Sequence, residues 1–273
     1  MGYNTKIDWC DTSWNPVTGC YHDCEYCYAR GIANRFGGYQ IDPVGDSVSI
    51  CAGANDLKVV EIAHPVSKVD KTCAVRVAPY PFSFAPTLHR YRLDEPSKWT
   101  QPRNIFVCSM ADLFGAWVPD EWIKSVFDAC LAAPQHRYLF LTKNPARYLD
   151  LKRKGIMPDA INFWFGSTTV TPETEFFWGN FANIFVSIEP ILAPFTNLVD
   201  KGYFPKSNTD WIIVGAETGK RKNKVIPEKS WIMELVQFAT ETGTPIFMKE
   251  SLREIMGKDF IQQFPWGDHN HGG

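Results

Sequence analysis

Three cysteines crowd into eight residues, Cys20-Tyr21-His22-Asp23-Cys24-Glu25-Tyr26-Cys27. This C-x3-C-x2-C spacing lets all three thiols turn inward from one short loop and close on a single iron–sulfur cluster or metal ion. A loop of that kind needs a scaffold to hold it, and the rest of the chain is read for what that scaffold is. The other five cysteines, Cys10, Cys51, Cys73, Cys108 and Cys130, are scattered and read as small buried hydrophobes. Eight cysteines in 273 residues with three in one loop do not make the disulfide framework of a small secreted domain. Thiolate ligands in a reducing, cytoplasmic setting are the expected use.

Trp9 to Gly19 reads as a short extended segment ending in a glycine that permits a sharp turn, which puts Cys20 just past a strand end. Tyr28 to Phe36 carries apolar residues at helical spacing and stops at Gly37-Gly38. The first unit is therefore strand, cysteine loop, helix. Residues 38–103 are rich in Gly, Pro and Asp, with β-like runs at Lys58 to Ile62 and Cys73 to Val77. They are too apolar for a solvated tether and are expected to form an insertion or peripheral subdomain.

From residue 104 the pattern becomes regular. Short apolar runs occur at Ile105 to Cys108, Tyr138 to Leu141, Ile161 to Phe165, Ile184 to Ile188, Trp211 to Val214 and Pro245 to Met248. Runs without polar alternation suit strands buried on both faces of a parallel sheet. Helices are expected between them: one after Asp120 that turns Trp122, Ile123, Val126, Phe127, Cys130 and Leu131 inward, one from Pro145 to Gly155, one opened by Thr171-Pro172, and one from Pro227 to Gly243. A β-α rhythm of about 25 to 35 residues implies an α/β chain with a full or partial parallel (β/α) TIM-like barrel, the insertion following its first β-α unit. One domain spans residues 1–273.

In such a barrel the carboxyl ends of the strands share one face, where functional side chains gather. The residues just after the runs are Ser109 to Asp112, Thr142-Lys143-Asn144, Ser167-Thr168-Thr169, Ser187 with Glu189-Pro190, Gly215 to Gly219, and Lys249-Glu250-Ser251. Hydroxyls, carboxylates and amines converge there, and a polar cavity with a metal centre at its edge is expected. Lys143, Glu189, Glu217 and Lys249 are the charges least explained by turn formation alone.

Three occupants of the cysteine loop compete. Zinc wants four ligands, and His22 lies too close between the cysteines for all four to reach tetrahedral positions, although a distant fourth ligand would complete the site. A closed four-cysteine cluster needs a remote thiolate such as Cys10 or Cys108. A cluster on three cysteines leaves one iron open to a small molecule.

The string Gly19-Cys20-x3-Cys24-x-Tyr26-Cys27-Tyr28-Ala29 resembles the cluster loop of the radical S-adenosylmethionine (radical SAM) enzymes. Trp14 to Gly19, Ser109 to Phe114, Leu141-Thr142-Lys143, Ser187 to Pro190 and Val214 to Gly219 resemble an uncharacterised phage-borne branch of that superfamily, the three-cysteine-motif phage proteins, related more distantly to spore photoproduct lyase. The resemblance implies that Cys20, Cys24 and Cys27 hold a [4Fe-4S] cluster that chelates SAM, fed by reduced flavodoxin or ferredoxin. SAM would be cleaved reductively and a hydrogen atom taken from a substrate. Tyr26 would pack beside the cluster, Lys143 pair with the methionine carboxylate, and Glu189 or Glu217 accept from the amino group or ribose hydroxyls. Ser109, Asp112, Thr168 and Ser187 would join the same pocket, and Cys10 or Cys108 would stand ready as a hydrogen-atom donor. The alternative is a non-catalytic metal-binding or iron–sulfur protein on a barrel scaffold.

The substrate stays open between a nucleic-acid base, a nucleotide and a peptide. The formal charge of −2 gives no overall basic field, so nucleic acid would have to be met by a local patch. The run Lys220 to Lys224 is one such patch, whereas Lys152-Arg153-Lys154 suits a helix end. No apolar run approaches the roughly 18 residues of a membrane span, so no membrane partner is expected.

Overall fold

The computed structural model describes residues 5–37, 48–53, 57–69, 75–174, 181, 183–195, 209–219 and 221–267. The elements in chain order are β1 (Thr12–Trp14), β2 (Val17–Thr18), α1 (Tyr28–Phe36), β3 (Val48–Ala52), β4 (Lys58–Ile62), β5 (Ser67–Val69), β6 (Val75–Val77), β7 (Thr87–His89), β8 (Asn104–Val107), α2 (Asp120–Leu131), β9 (Arg137–Thr142), α3 (Ala146–Arg153), β10 (Phe163–Thr168), β11 (Ile184–Ile188), β12 (Trp211–Val214), α4 (Lys229–Thr242), β13 (Ile246–Met248) and α5 (Arg253–Met256).

Seven strands form one parallel sheet in the order β1-β8-β9-β10-β11-β12-β13. Side chains alternate between two apolar surroundings, which is why the sequence shows unbroken apolar runs. Phe106, Leu139, Trp164, Phe185, Trp211, Ile213 and Phe247 meet on the inner face. Their neighbours Ile105, Val107, Tyr138, Phe140, Phe163 and Phe165 pack outward against Trp122, Ile123, Val126 and Phe127 of α2. Val186, Ile188, Ile212, Val214, Ile246 and Met248 do the same against Ile232, Leu235 and Phe238 of α4.

The sheet curls into a half-barrel. The Trp9 ring stands 4.5 Å from Phe106, 6.2 Å from Phe185 and 6.2 Å from Trp211, so side chains of well-separated strands meet at one indole. Asp8 Oδ2 accepts the Glu250 N–H at 2.7 Å. The segment before β1 thus reaches the turn after β13, and the two edge strands are linked by chain rather than by a ladder. Inside the curl space is tight: a Cβ on Gly166 would lie 2.3 Å from the Phe185 ring.

Strands β3, β4 and β7 of residues 38–103 form a second sheet with β2, in the order β2-β7-β4-β3. Val59 and Leu88 from it share the outer core with Trp14 and Val17. The expected strand at Lys58 to Ile62 is β4. The reading of Cys73 to Val77 overlaps β6, with Cys73 and Ala74 outside the described residues.

Four expectations are corrected. Trp9 to Gly19 is not one extended segment: β1 pairs with β8 and β2 with β7, because Asn15-Pro16 turns the chain from one sheet to the other. The third run does not start at Ile161, which is 87% exposed; a turn from Ala160 to Phe163 delays β10, which then continues through Ser167 and Thr168. Leu131 at the last position of α2 is exposed, since the helical twist carries it past Phe127 onto the flank of the stripe formed by Trp122, Ile123, Val126, Phe127 and Cys130. Thr171-Pro172 opens a turn closed by Thr174 N–H to Thr171 O at 3.0 Å, and positions 175–180 lie outside the described residues.

Candidate functional site

The cysteine loop is pinned from three sides. Gly19 N–H donates to Met110 O at 2.9 Å, and Cys20 N–H donates to Phe84 O of the insertion at 3.2 Å. The approach is close enough that a Cβ on Gly19 would lie 2.2 Å from Ala85 O, and φ there is +84°, so glycine is required on both counts. Farther on, Tyr21 Oη donates to Lys58 O at 2.7 Å. His22 Nε2 bonds Asp112 Oδ2 at 2.7 Å, with its ring edge-on to Trp117 at 4.9 Å.

The three thiols are free and partly buried. Cys27 caps α1 by accepting from Arg30 N–H at 3.4 Å, and Cys20 Sγ accepts from His22 N–H at 3.5 Å. Backbone N–H groups therefore already face two of the three sulfurs. Burial pushes the Cys20 thiol up to about 12; a metal would have to displace that proton, as thiolate ligation always requires. Burial, and then the neighbouring Cys24, likewise raise the Tyr26 hydroxyl.

Asp112 has no spare lone pair. Oδ1 accepts from Phe114 N–H at 3.0 Å and Thr142 Oγ1 at 2.7 Å, while Oδ2 accepts from His22 Nε2 and from Lys143 N–H at 2.9 Å. Burial alone would raise its carboxyl, but the His22 contact and the other donors outweigh it and hold the group below the usual carboxylate range. Asp112 is the post to which the cysteine loop is tied.

A cavity of about 670 Å³ opens at the carboxyl edge of the half-barrel. Its lining includes Cys20, Cys24, Cys27, Tyr26, Ser109, Asp112, Lys143, Thr168, Ser187, Glu189 and Glu217; Asn144, Ser167 and Thr169, read from the sequence at the same strand ends, do not line it. The inner faces of β10, β11 and β13 deliver Thr168, Ser187 and then Lys249, and Trp9 and Phe106 form the apolar floor.

These residues are not equally available to a ligand. Ser187 Oγ is fully buried and has no hydrogen-bond partner among the described residues. The Lys143 ammonium is exposed, 6.0 Å from the Tyr26 ring centroid, with no carboxylate partner among the described residues. Glu189 is ion-paired with Lys249, and Gly215 leaves room for the pair, since a Cβ there would lie 2.9 Å from Lys249 Cδ. Ser109 Oγ donates to Asn15 Oδ1 at 3.2 Å. Both oxygens of Glu217 are held by Arg221, each at 2.7 Å. The third Arg221 nitrogen reaches Glu25 of the cysteine loop at 3.2 Å.

Arg221 is thus engaged inside the site rather than offered as part of a phosphate-binding run, and Lys220 lies outside the described residues. Cys10 and Cys108, considered as hydrogen-atom donors, do not line the cavity. Cys108 is buried in the outer core, where burial raises its thiol to about 12. Cys10 Sγ donates to Ile7 O at 3.8 Å. Sequence reasoning missed Asn15, the segment from Thr5 to Trp9, and Tyr80 with Phe84 of the insertion, all of which line the cavity. Only the Asn15-Pro16 turn beside β1 carried a local signal, since the others reach the site through chain reversals.

Among the described residues no group of three or more His, Cys, Asp or Glu side chains is drawn together as the ligands of one metal ion. No helix among them is long and apolar enough to cross a membrane. A family model described as a protein of unknown function (DUF5131) matches residues 4–256. No curated protein and no solved structure matches the chain.

Proposed function

The chain belongs to the DUF5131 family, and from its site we propose a radical SAM enzyme in which Cys20, Cys24 and Cys27 hold a [4Fe-4S] cluster beside bound SAM. The observation that carries this reading is the convergence of three free, half-buried thiols with Lys143, Ser187 and Glu189 in one cavity at the carboxyl edge of a parallel half-barrel. Cys20, Cys24 and Cys27 would each supply one thiolate to such a cluster. The donor set suits it in chemistry as well, with N–H groups directed at Cys20 and Cys27. Given one electron from reduced flavodoxin or ferredoxin, a cluster and SAM bound there would supply reductive cleavage of SAM to methionine and hydrogen-atom abstraction from the substrate, with 5'-deoxyadenosine as the product.

The protein's task is placement and exclusion of water. Lys143 offers a cation to the methionine carboxylate. Glu189 would exchange Lys249 for the amino group or a ribose hydroxyl, and the Ser187 hydroxyl, which has no partner among the described residues, would accept from or donate to the same ligand. Trp9 and Phe106 close the floor to solvent. Asp112 and Glu217 act on the loop: one holds His22, and the other holds the arginine that reaches Glu25.

Anaerobic reconstitution with iron and sulfide tests the cluster. Wild type is expected to gain the broad visible absorption of a cluster, to keep it in Cys51→Ala, and to lose it when Cys20, Cys24 or Cys27 becomes alanine. A protein that takes stoichiometric zinc and no cluster is the non-catalytic alternative and overturns the proposal.

A further inference from the structure

The mouth of the cavity carries a surface that the cleavage of SAM does not use. Tyr28 and Ile32 of α1 line it, with Tyr80 and Phe84 of the insertion facing the same space. Arg35 and Phe36 continue the Tyr28–Ile32 face, lying seven and eight residues beyond Tyr28 on the helix. Tyr28, Ile32 and Phe36 are exposed, Tyr28 by half. Cations lie against this apolar surface: the Arg30 guanidinium is 5.6 Å from the Phe84 centroid and that of Arg35 is 5.3 Å from Phe36.

Charge sharpens the reading. The chain as a whole is slightly acidic, at −2, so positive potential here is local. The carboxylates of Asp23, Glu25 and Glu250 are matched by Arg30, Arg221 and Arg253. Lys6, which lines the cavity, and Arg35 are exposed and have no carboxylate partner among the described residues. Within the cavity lining Lys143 is a cation without a carboxylate partner among the described residues, and Asp8 supplies the opposite sign. Asp8 Oδ1 is buried without a partner among the described residues while Oδ2 holds Glu250 N–H. A carboxylate oxygen there attracts an N–H donor and repels a phosphate.

Aromatic rings interleaved with cations on a track that leads to a cavity are the means by which proteins follow a single nucleic-acid strand, bases stacking and phosphates meeting Lys or Arg. We propose that the substrate is a nucleobase presented by single-stranded DNA or RNA. The base enters the cavity, its N–H edge toward Asp8, and the flanking nucleotides lie along Tyr28, Ile32 and Arg35. The chemistry done on that base rests on the radical SAM reading, whereas the binding surface does not.

Fluorescence anisotropy of the full reconstituted chain with labelled oligo(dT), oligo(rU) and polyglutamate tests this. At least one oligonucleotide is expected to bind, and the preferred one identifies the nucleic acid. Phe84→Ala and Phe36→Ala are each expected to weaken binding at least about fivefold, the low end for one base–aromatic stack. Phe36 is on the exposed face, so its variant reports on binding even if Phe84→Ala unfolds. Arg35→Gln is expected to flatten the salt dependence by about 0.7 in log–log slope, one single-strand phosphate. Absence of oligonucleotide binding at about 0.05 M salt, binding untouched by Phe36→Ala, or equal binding of polyglutamate overturns the proposal. Protein that cleaves SAM but binds no oligonucleotide loses only this inference, and protein that binds oligonucleotide but cleaves no SAM loses only the radical reading.

Discussion

His22 Nε2 meets Asp112 Oδ2 at 2.7 Å, tying the cysteine loop to the carboxyl end of β9 through a carboxylate whose other three hydrogen bonds come from Phe114, Thr142 and Lys143. Removing that carboxylate strands four donors in a buried place. Asp112→Ala is expected to destabilise the fold by about 2 to 4 kcal/mol, since each buried group left unpaired costs about 1 to 3 kcal/mol and solvent recovers part. A shift of the urea midpoint measures it, and an unchanged midpoint contradicts the role.

The same contact sets an acid limit. The folded Asp112 carboxyl lies below its usual range, so its contribution is complete above the unfolded value of about 3.9 and is lost as pH falls through the folded value. Wild type is expected to lose stability more steeply than Asp112→Asn below about pH 4. Parallel acid limbs for the two proteins contradict this.

Gly19 carries the contact between insertion and cysteine loop. Gly19→Ala forces an alanine to φ +84° and presses its Cβ on Ala85 O, a cost of about 2 kcal/mol or more from strain and overlap together. The variant is expected to fold less stably and to take up less iron per chain than wild type. Normal iron content and stability show that the insertion does not brace the loop.

Arg221 and Glu217 form the second brace. The Glu217 side chain is 1% exposed, so Arg221→Ala leaves its carboxylate without its ion-pair partner, with only the more distant Lys224 charge and the Val225 backbone to favour it. Arg221→Ala is expected to be less stable than the double variant Arg221→Ala/Glu217→Gln, in which that charge is gone. Additive effects in the double-mutant cycle would show that the two do not interact.

The sequence made the parallel strands legible because each lies between two apolar layers: the runs at Tyr138, Ile184 and Trp211 coincide with β9, β11 and β12. Gly243, at φ +71°, marked the end of α4 because a left-handed residue closing a helix favours glycine. The cavity-lining positions came from the rule that strand ends share a face. Partners were not legible. That Arg221 is spent on Glu217 and Glu25, or that Asp112 faces His22 across 90 residues, depends on loop geometry that no local spacing encodes. The sheet change at Asn15-Pro16 was hidden because β1 and β2 are only three and two residues long.

The most direct measurement is chromatographic quantification of 5'-deoxyadenosine from anaerobically reconstituted protein given SAM and a strong reductant, beside the Cys24→Ala and Cys51→Ala variants. The account predicts 5'-deoxyadenosine from wild type and Cys51→Ala and none from Cys24→Ala. Intact SAM from wild type that carries about four irons per chain, or equal cleavage by Cys24→Ala, would contradict it.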